Sequence, residues 1–229
     1  MSTGSLYIVA TPIGNLKDIT LRALEVLKSV DCILSEDTRD TDKMLRHFSI
    51  KASQLSYRDQ NHQKMFPVIL DLLKSGKNLA LVSDSGTPLI SDPGYKLIRN
   101  LIKEEIKVIS IPGPSSVISA LVSSGLPTDK FIFLGFLPRS KGKQKEILKE
   151  YGSLSATLIV FESPFRIKSF LETALEALGD REVCIANDIT KLYESFIRGS
   201  LSDILYNQFS EVSAKPKGEF VVLISKKDS

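Results

Sequence analysis

One unit recurs four times in the first half of this chain and constrains it more than any other feature: a short apolar run, a loop of small and turn-forming residues, then a helical pattern. Leu6 to Ala10 runs into Thr11-Pro12-Ile13-Gly14-Asn15 and a helix spaced Leu21, Leu24, Leu27. Cys32 to Leu34 leads into Ser35-Glu36-Asp37-Thr38-Arg39 and a helix through Met44, Leu45 and Phe48. Leu79 to Val82 empties into Ser83-Asp84-Ser85-Gly86-Thr87-Pro88, after which Pro93-Gly94 opens a helix carrying Tyr95, Leu97, Ile98, Leu101 and Ile102. Val108 to Ile111 ends in Pro112-Gly113-Pro114-Ser115-Ser116 and a helix over about 115 to 123. Runs this short have strand length, and strands alternating with helices form parallel βαβ units of an α/β sheet. Ligands of such sheets bind outside the carboxyl ends of the strands, where all four loops fall.

Beyond Gly125-Leu126-Pro127-Thr128 the pattern changes. Apolar runs at 131–136, 157–161, 182–186, 192–198 and 219–224, with helical stretches near 141–150 and 164–178, predict a mixed sheet. The Gly/Pro-rich stretch over 113–128 marks the expected boundary, giving an N-terminal, mostly parallel α/β domain over 1–113 and a C-terminal mixed α/β domain over 114–229. A length of 229 residues holds one large domain or two small ones.

Composition excludes several classes. Apolar residues at 42% and charged residues at 25% match folded chains and not disordered, collagen-like or mucin-like ones. No apolar stretch approaches the roughly 18 to 20 residues that cross a bilayer, so no membrane partner is expected. The N-terminus lacks a basic segment and has only a short apolar run, so a cytoplasmic location is expected. Cys32 and Cys184 each sit in an apolar run and read as buried small hydrophobes, while His47 and His62 fall in no zinc-binding spacing, so no metal is expected. A net charge of +3 permits an RNA partner without requiring one. The basic cluster Arg139, Lys141, Lys143, Lys145 and Lys149 suits either a solvated helix start or phosphate contacts.

The familiar α/β motifs are missing: the sequence contains no GxGxxG, no GxxxxGK[ST] and no GxSxG. What remains is the set of loops at 10–15, 83–88, 91–94 and 112–116, whose small residues admit a ligand close to the backbone and whose prolines stiffen them before binding. Singly each is a turn; together, at successive strand ends, they describe a site for a polar metabolite.

Six segments carry a resemblance across nearly the whole chain: LYIVATPIGNLKDITLRAL, SEDTR, LVSDSGTPLISDPGY, ISIPGPSS, FESP and ITKLYESFIRG. In order and spacing they resemble the ribosomal small-subunit RNA (cytidine-2'-O-)-methyltransferase branch of the tetrapyrrole methylase superfamily. The resemblance implies a two-domain α/β protein that binds S-adenosylmethionine in the cleft between its domains, is usually a homodimer, and methylates a cytidine ribose of 16S ribosomal RNA in the small ribosomal subunit. It further implies that Pro12 lines the cofactor pocket, that Ser85, Gly86, Thr87 and Ile90 contact the methionine and ribose portions, and that Ser115 and Ser116 supply hydroxyls. Glu162, Asn187 and Asp188 would approach the adenosine end.

A sulfonium methyl is already activated, so transfer mainly requires an aligned acceptor and a base for its proton. Glu36 and Asp37 are the candidate catalytic acids, with Arg39 as a phosphate or carboxylate partner; adjacent acids before a helix also suit an N-cap at Asp37 or Thr38. Lys191 and Arg166 are candidate phosphate contacts. The chain departs from the family pattern at Ser56-Tyr57-Arg58-Asp59-Gln60-Asn61, at Phe165 where a His is typical, and at Asn187-Asp188 where Arg-Glu is typical. Two alternatives stand beside the main reading: a tetrapyrrole-type small-molecule methylase, whose usual VGxGPG loop is here VATPIGN, and a noncatalytic cofactor-binding or ribosome-assembly homologue.

Overall fold

Five short apolar or half-apolar segments, Ser5–Val9 (β1), Cys32–Ser35 (β2), Ser53–Ser56 (β3), Leu79–Val82 (β4) and Lys107–Ile111 (β5), build the first sheet of the computed structural model, which describes residues 3–213, 218 and 220–227. The strand order is β3-β2-β4-β1-β5 and every pairing is parallel. β2 and β4 are buried at every position, which explains their continuous apolar runs: a parallel sheet is covered on both faces.

The covering helices are Leu21–Ser29 (α1), Thr38–His47 (α2), His62–Lys74 (α3) and Tyr95–Lys103 (α4). Ala23 and Leu27 of α1 and Leu45 of α2 pack with Val9, Ile33, Ala80 and Val82 on one face. Ile69 and Leu73 of α3 and Leu97 and Leu101 of α4 pack with Leu6, Leu34, Leu79 and Leu81 on the other. Each fully buried Leu or Ile of these layers contributes roughly 1.5–3 kcal/mol. From β1 the chain runs past β4 to reach β2, and from β4 it runs past β1 to reach β5. The helices after these neighbouring strands therefore lie on opposite faces, and the carboxyl ends of β1 and β4 form the topological switch point where α/β sheets bind ligands.

β3 and α3 have no counterpart in the sequence reading. Ser-Gln-Leu-Ser is an edge strand paired only with β2, so it carries no apolar run. α3 contains Pro67, which removes one intrahelical hydrogen bond and obscures the helical pattern.

The chain divides into two compact units, Met1–Ser115 and Ser116–Ser229. In the second, Ser116–Ser124 (α5) is followed by Phe131–Phe136 (β6), Lys141–Gly152 (α6), Thr157–Glu162 (β7), Ile167–Leu178 (α7), Glu182–Asn187 (β8), Ser195–Ser200 (β9), Leu201–Tyr206 (α8), Phe209–Ser213 (α9) and Phe220–Ile224 (β10). The sheet order is β6-β7-β10-β8-β9, with β6 and β7 parallel and the remaining pairs antiparallel, so the sheet is mixed as expected. Leu158, Val160, Val183, Ile185, Val222 and Ile224 form one core with Leu148 of α6, Phe170 and Leu171 of α7, and Leu201 and Ile204 of α8.

Two expected starts differ, and a third lies outside the described residues. The last but one strand begins at Ser195 and not at 192, because Asp188 and Thr190 adopt φ of +50° and +69° and the Lys191 and Glu194 amides donate to the Asp188 and Lys191 carbonyls at 2.9 and 3.2 Å. That hydrogen bonding folds 188–194 into turns. α7 begins at Ile167 and not at 164, after a turn closed by the Arg166 amide on the Ser163 carbonyl at 2.9 Å. Glu219, expected to open the last strand, lies outside the described residues.

Candidate functional site

At the switch point the loops after β1 and β4 are joined chiefly by backbone, with the Thr11 hydroxyl adding a 3.5 Å bond to the Ser83 carbonyl. The buried Thr11 donates its N–H to the Gly86 carbonyl at 2.8 Å and accepts from the Gly86 N–H at 3.0 Å. Thr87 Oγ1 donates to the Pro114 carbonyl at 3.0 Å, tying in the loop after β5. Gly86 has φ +74°, and a Cβ there would stand 3.2 Å from Ile13 Cγ2, so both its conformation and its neighbour call for glycine. Downstream, Leu89 and Ser91 have φ of +73° and +62°. Left-handed backbone costs an ordinary residue about 1–2 kcal/mol and gathers at ligand-binding segments. Asp59, from the loop after β3, accepts the Gly94 N–H at 3.2 Å and so holds the far end of the same segment.

This scaffold brings Pro12, Ser85, Gly86 and Thr87 together. Pro12 and Thr87 are half-buried, Gly86 is buried, Ser85 is exposed, and Ile90 stands on the outer part of the loop, 45% exposed. Ser115 ends the loop after β5, and Ser116 opens α5 in the second unit.

The SEDTR loop leaves β2 beside these. Asp37 is the N-cap of α2: its Oδ1 accepts from the Arg39 N–H at 2.9 Å, and the Arg39 guanidinium adds bonds of 3.0 and 2.6 Å. Those bonds hold the Asp37 carboxyl well below the usual carboxylate range. An acid so stabilised as its anion is a poor proton acceptor. Glu36 is shifted the opposite way, upward, first by burial and then by the Asp84 carboxylate, against the opposing effect of Arg58. Its neighbours are fixed: Asp84 Oδ1 accepts the Asp37 N–H at 3.0 Å, and Arg58 Nε donates to the Glu36 carbonyl at 3.0 Å. Of the two candidate acids, Glu36 is thus shifted toward holding a proton, while Asp37 is held as its anion by Arg39.

Between the β1 loop and α2 lies a cavity of about 300 Å³, lined by Pro12, Ile13 and Leu16 together with Met44, Lys43 and Asp84 among others. Lys43 pairs with Asp40 at 2.6 Å on the exposed side of α2.

The second unit carries a different polar arrangement. Glu162 at the end of β7 and Asn187 at the end of β8 both stand in register with Phe220 of β10, and Ser195 of β9 pairs with Asn187. Glu162 is 0% and Asn187 1% exposed. Glu162 Oε1 accepts from the Ser163 N–H at 2.7 Å and is ion-paired with Arg166 Nε at 3.2 Å, while Glu162 Oε2, Asn187 Oδ1, Thr190 Oγ1 and Ser195 Oγ are buried without a hydrogen-bond partner among the described residues. Burial pushes the Glu162 carboxyl up. Orphaned buried acceptors are costly and mark places where a donor is expected. Asp188 receives the Asn187 amide at 3.3 Å and Lys191 Nζ at 3.2 Å.

The expected phosphate contacts are partly engaged within the chain. Arg166 holds Glu162 and the Leu137 carbonyl, Lys191 holds Asp188, Lys141 pairs with Glu172 at 3.6 Å, and Lys145 pairs with Glu176. Sequence reasoning did not single out Asp84, Arg58, Asp59 or Lys43. Asp84 lies inside a loop that was legible, whereas Arg58 and Asp59 follow a strand whose polar sequence hid it. Among the described residues no helix is long and apolar enough to cross a membrane, and no group of three or more His, Cys, Asp or Glu is placed to hold a metal.

Residues 5–205 match the family described as Tetrapyrrole (Corrin/Porphyrin) Methylases. The Ribosomal RNA small subunit methyltransferase I of Thermotoga maritima is 48% identical over 225 residues, which cover 98% of this chain and 100% of that one. Its namesake in Vibrio cholerae is 49% identical over 220 residues, 96% of this chain and 76% of that one. Solved structures share the fold at low identity: diphthine synthase has TM-score 0.73 with 16% identity, covering 98% of this chain and 90% of that one. A cobalt precorrin-4 methyltransferase has TM-score 0.69 with 18% identity, covering 96% and 94%. With the switch-point loops and the mixed second sheet in place, these similarities make the chain a methyltransferase, with a methyl donor of the S-adenosylmethionine type implied, that belongs to the tetrapyrrole (corrin/porphyrin) methylase family.

Proposed function

We propose that this protein transfers a methyl group from S-adenosylmethionine to the ribose 2'-oxygen of a cytidine in 16S ribosomal RNA within the small ribosomal subunit, as a cytoplasmic homodimer with domains over 1–113 and 114–229. The observation that carries the reading is the 48% identity to the Thermotoga maritima methyltransferase over the full length of that protein. The dimer follows from the family resemblance, and sedimentation at twice the chain mass is its test.

The residues present suit the methyl donor. In the first unit Gly86 leaves open backbone where a Cβ would press on Ile13, beside Pro12, Ser85, Thr87, Ile90 and Ser115. In the second, Glu162 Oε2 and Asn187 Oδ1 are acceptors without donors, matched to the hydroxyl and amino donors of an adenosine; Asp188 and Ser116 complete the proposed set. S-adenosylmethionine supplies an activated sulfonium methyl when bound.

The protein's own residues then do three things. Rigid loops fix the donor site without ordering cost at the moment of binding. The acceptor oxygen must be aligned behind the methyl, for which a positioned site contributes most of the rate. Glu36 takes the 2'-hydroxyl proton, its raised pKa making it a stronger base than an ordinary carboxylate, while Asp37 and Arg39 hold the start of α2.

The test is methyl transfer from labelled S-adenosylmethionine to small ribosomal subunits from cells lacking this gene, with the modified nucleotide mapped. Label on a cytidine 2'-oxygen is the expected result. Cofactor binding without transfer to any RNA would sink the reading in favour of a noncatalytic homologue.

A further inference from the structure

The cavity between the β1 loop and α2 is lined in part by residues that the proposed methyl-donor set does not use, Asp40, Lys43, Met44 and Asp84 among them. Pro12, Ile13, Leu16 and Met44 give it apolar walls, and Lys43, Asp40 and Asp84 place one cation and two carboxylates on its lining, of which Asp40 is paired with Lys43. At about 300 Å³ it stands at the small end of ligand-pocket volumes, large enough for one flat heterocycle and too small for a macrocycle. Pro12 and Ser85, from the loops proposed to hold the methyl donor, also line it, so an occupant would lie next to that site.

Resting on the reading above, we propose that this cavity receives the base of the acceptor nucleotide and that Asp84 selects cytosine over uracil. The two pyrimidines share O2 and differ at positions 3 and 4: cytosine has an acceptor N3 and a 4-amino donor, uracil an N3–H donor and a 4-carbonyl acceptor, so a carboxylate set at position 4 tells them apart. A carboxylate accepts from the first and repels the second. Asp84 is fixed for this task, because its Oδ1 already accepts the Asp37 N–H at 3.0 Å and its backbone belongs to the loop anchored by the Thr11 and Gly86 bonds. Lys43, now paired with Asp40 at the surface, is the donor for O2. Exposed pairs of this kind exchange partners at little cost. Pro12, Ile13, Leu16 and Met44 cover the faces of a base splayed out of its stack, the usual way proteins read unpaired RNA.

Asp84→Asn tests the assignment, since asparagine keeps a carbonyl oxygen for the Asp37 N–H and presents an amide donor in place of the second carboxylate oxygen. The substrates are small subunits reconstituted with C or U at the nucleotide that the mapping experiment identifies. The wild-type protein is expected to favour C by roughly ten- to a hundredfold in kcat/KM. Asp84→Asn should collapse or invert that ratio with S-adenosylmethionine affinity unchanged, and Lys43→Met should lower both substrates in parallel. An unchanged C-to-U ratio in Asp84→Asn overturns the assignment, whatever common loss both templates suffer through Glu36, whose pKa the Asp84 carboxylate helps to raise. A wild-type protein that binds S-adenosylmethionine and methylates neither template instead brings down the functional reading on which the assignment stands.

Discussion

The two units prepare polar binding groups by opposite means. In the first, the proposed site is shaped mainly by backbone, through the Thr11 and Gly86 bonds and the positive φ angles at Gly86, Leu89 and Ser91, with the Thr87 hydroxyl on the Pro114 carbonyl as a side-chain tie. In the second, it is shaped by side chains taken out of water, with Glu162 and Asn187 buried and holding oxygens that have no donor among the described residues. The cost of the backbone cradle in the first is conformational and independent of pH. In the second it is electrostatic, and Glu162 makes it depend on pH.

Four experiments break or sharpen this contrast. Phe170→Ala, at 1% exposure in the core of the second unit, should cost about 3–5 kcal/mol in chemical denaturation, because it leaves a cavity in the cluster that Phe170 shares with Leu158, Val160 and Leu171. Glu36→Gln should lower kcat by roughly 10²–10⁴-fold with methyl-donor affinity retained. The raised pKa adds a sign: a base must be unprotonated, so wild-type activity should fall on acidification at a pH above the ordinary glutamate value, and the variant should lose that limb. Gly86→Ala should reduce stability by about 1–2 kcal/mol at every pH and weaken methyl-donor binding, read by calorimetry, since φ +74° strains any residue with a Cβ.

The smallest effect is expected from Glu162→Gln and appears only as a slope. The folded-state pKa of Glu162 lies above its unfolded value, so between the two the folded chain holds a proton that the unfolded chain has lost. Wild-type stability should therefore fall as pH rises through that interval, and thermal unfolding of the variant should lack this contribution. A variant that tracks the wild type across the whole range would mean that Arg166, 3.2 Å away, offsets the burial completely.

The first sheet was legible because its signals are local. Leu79 to Val82 must be buried on both faces, and SDSGTP must turn, whatever the rest of the chain does. β3 was not legible, because an edge strand with one neighbour needs no apolar run, and α3 was hidden by Pro67. Within the site, Pro12, Ser85, Gly86 and Thr87 follow from their loops and the resemblance. The division of labour between Glu36 and Asp37 does not, since two adjacent acids differ only in what surrounds them: Arg39 for one, burial and Asp84 for the other. The burial of Glu162 and Asn187 depends on the pairing of β7, β10 and β8, which join distant parts of the chain.

The bonds between Thr11 and Gly86 involve no side-chain atom. A cradle held in this way is indifferent to most of the letters written around it, so long as residue 86 tolerates its φ and neither position becomes proline. That gives the architecture an evolutionary latitude: the loop after β1 can exchange one sequence for another, and with it one acceptor for another, while the frame beneath keeps its shape. Diversity of substrate within such a family would then be written on the loop surface, and inheritance of the methyl donor in the main chain.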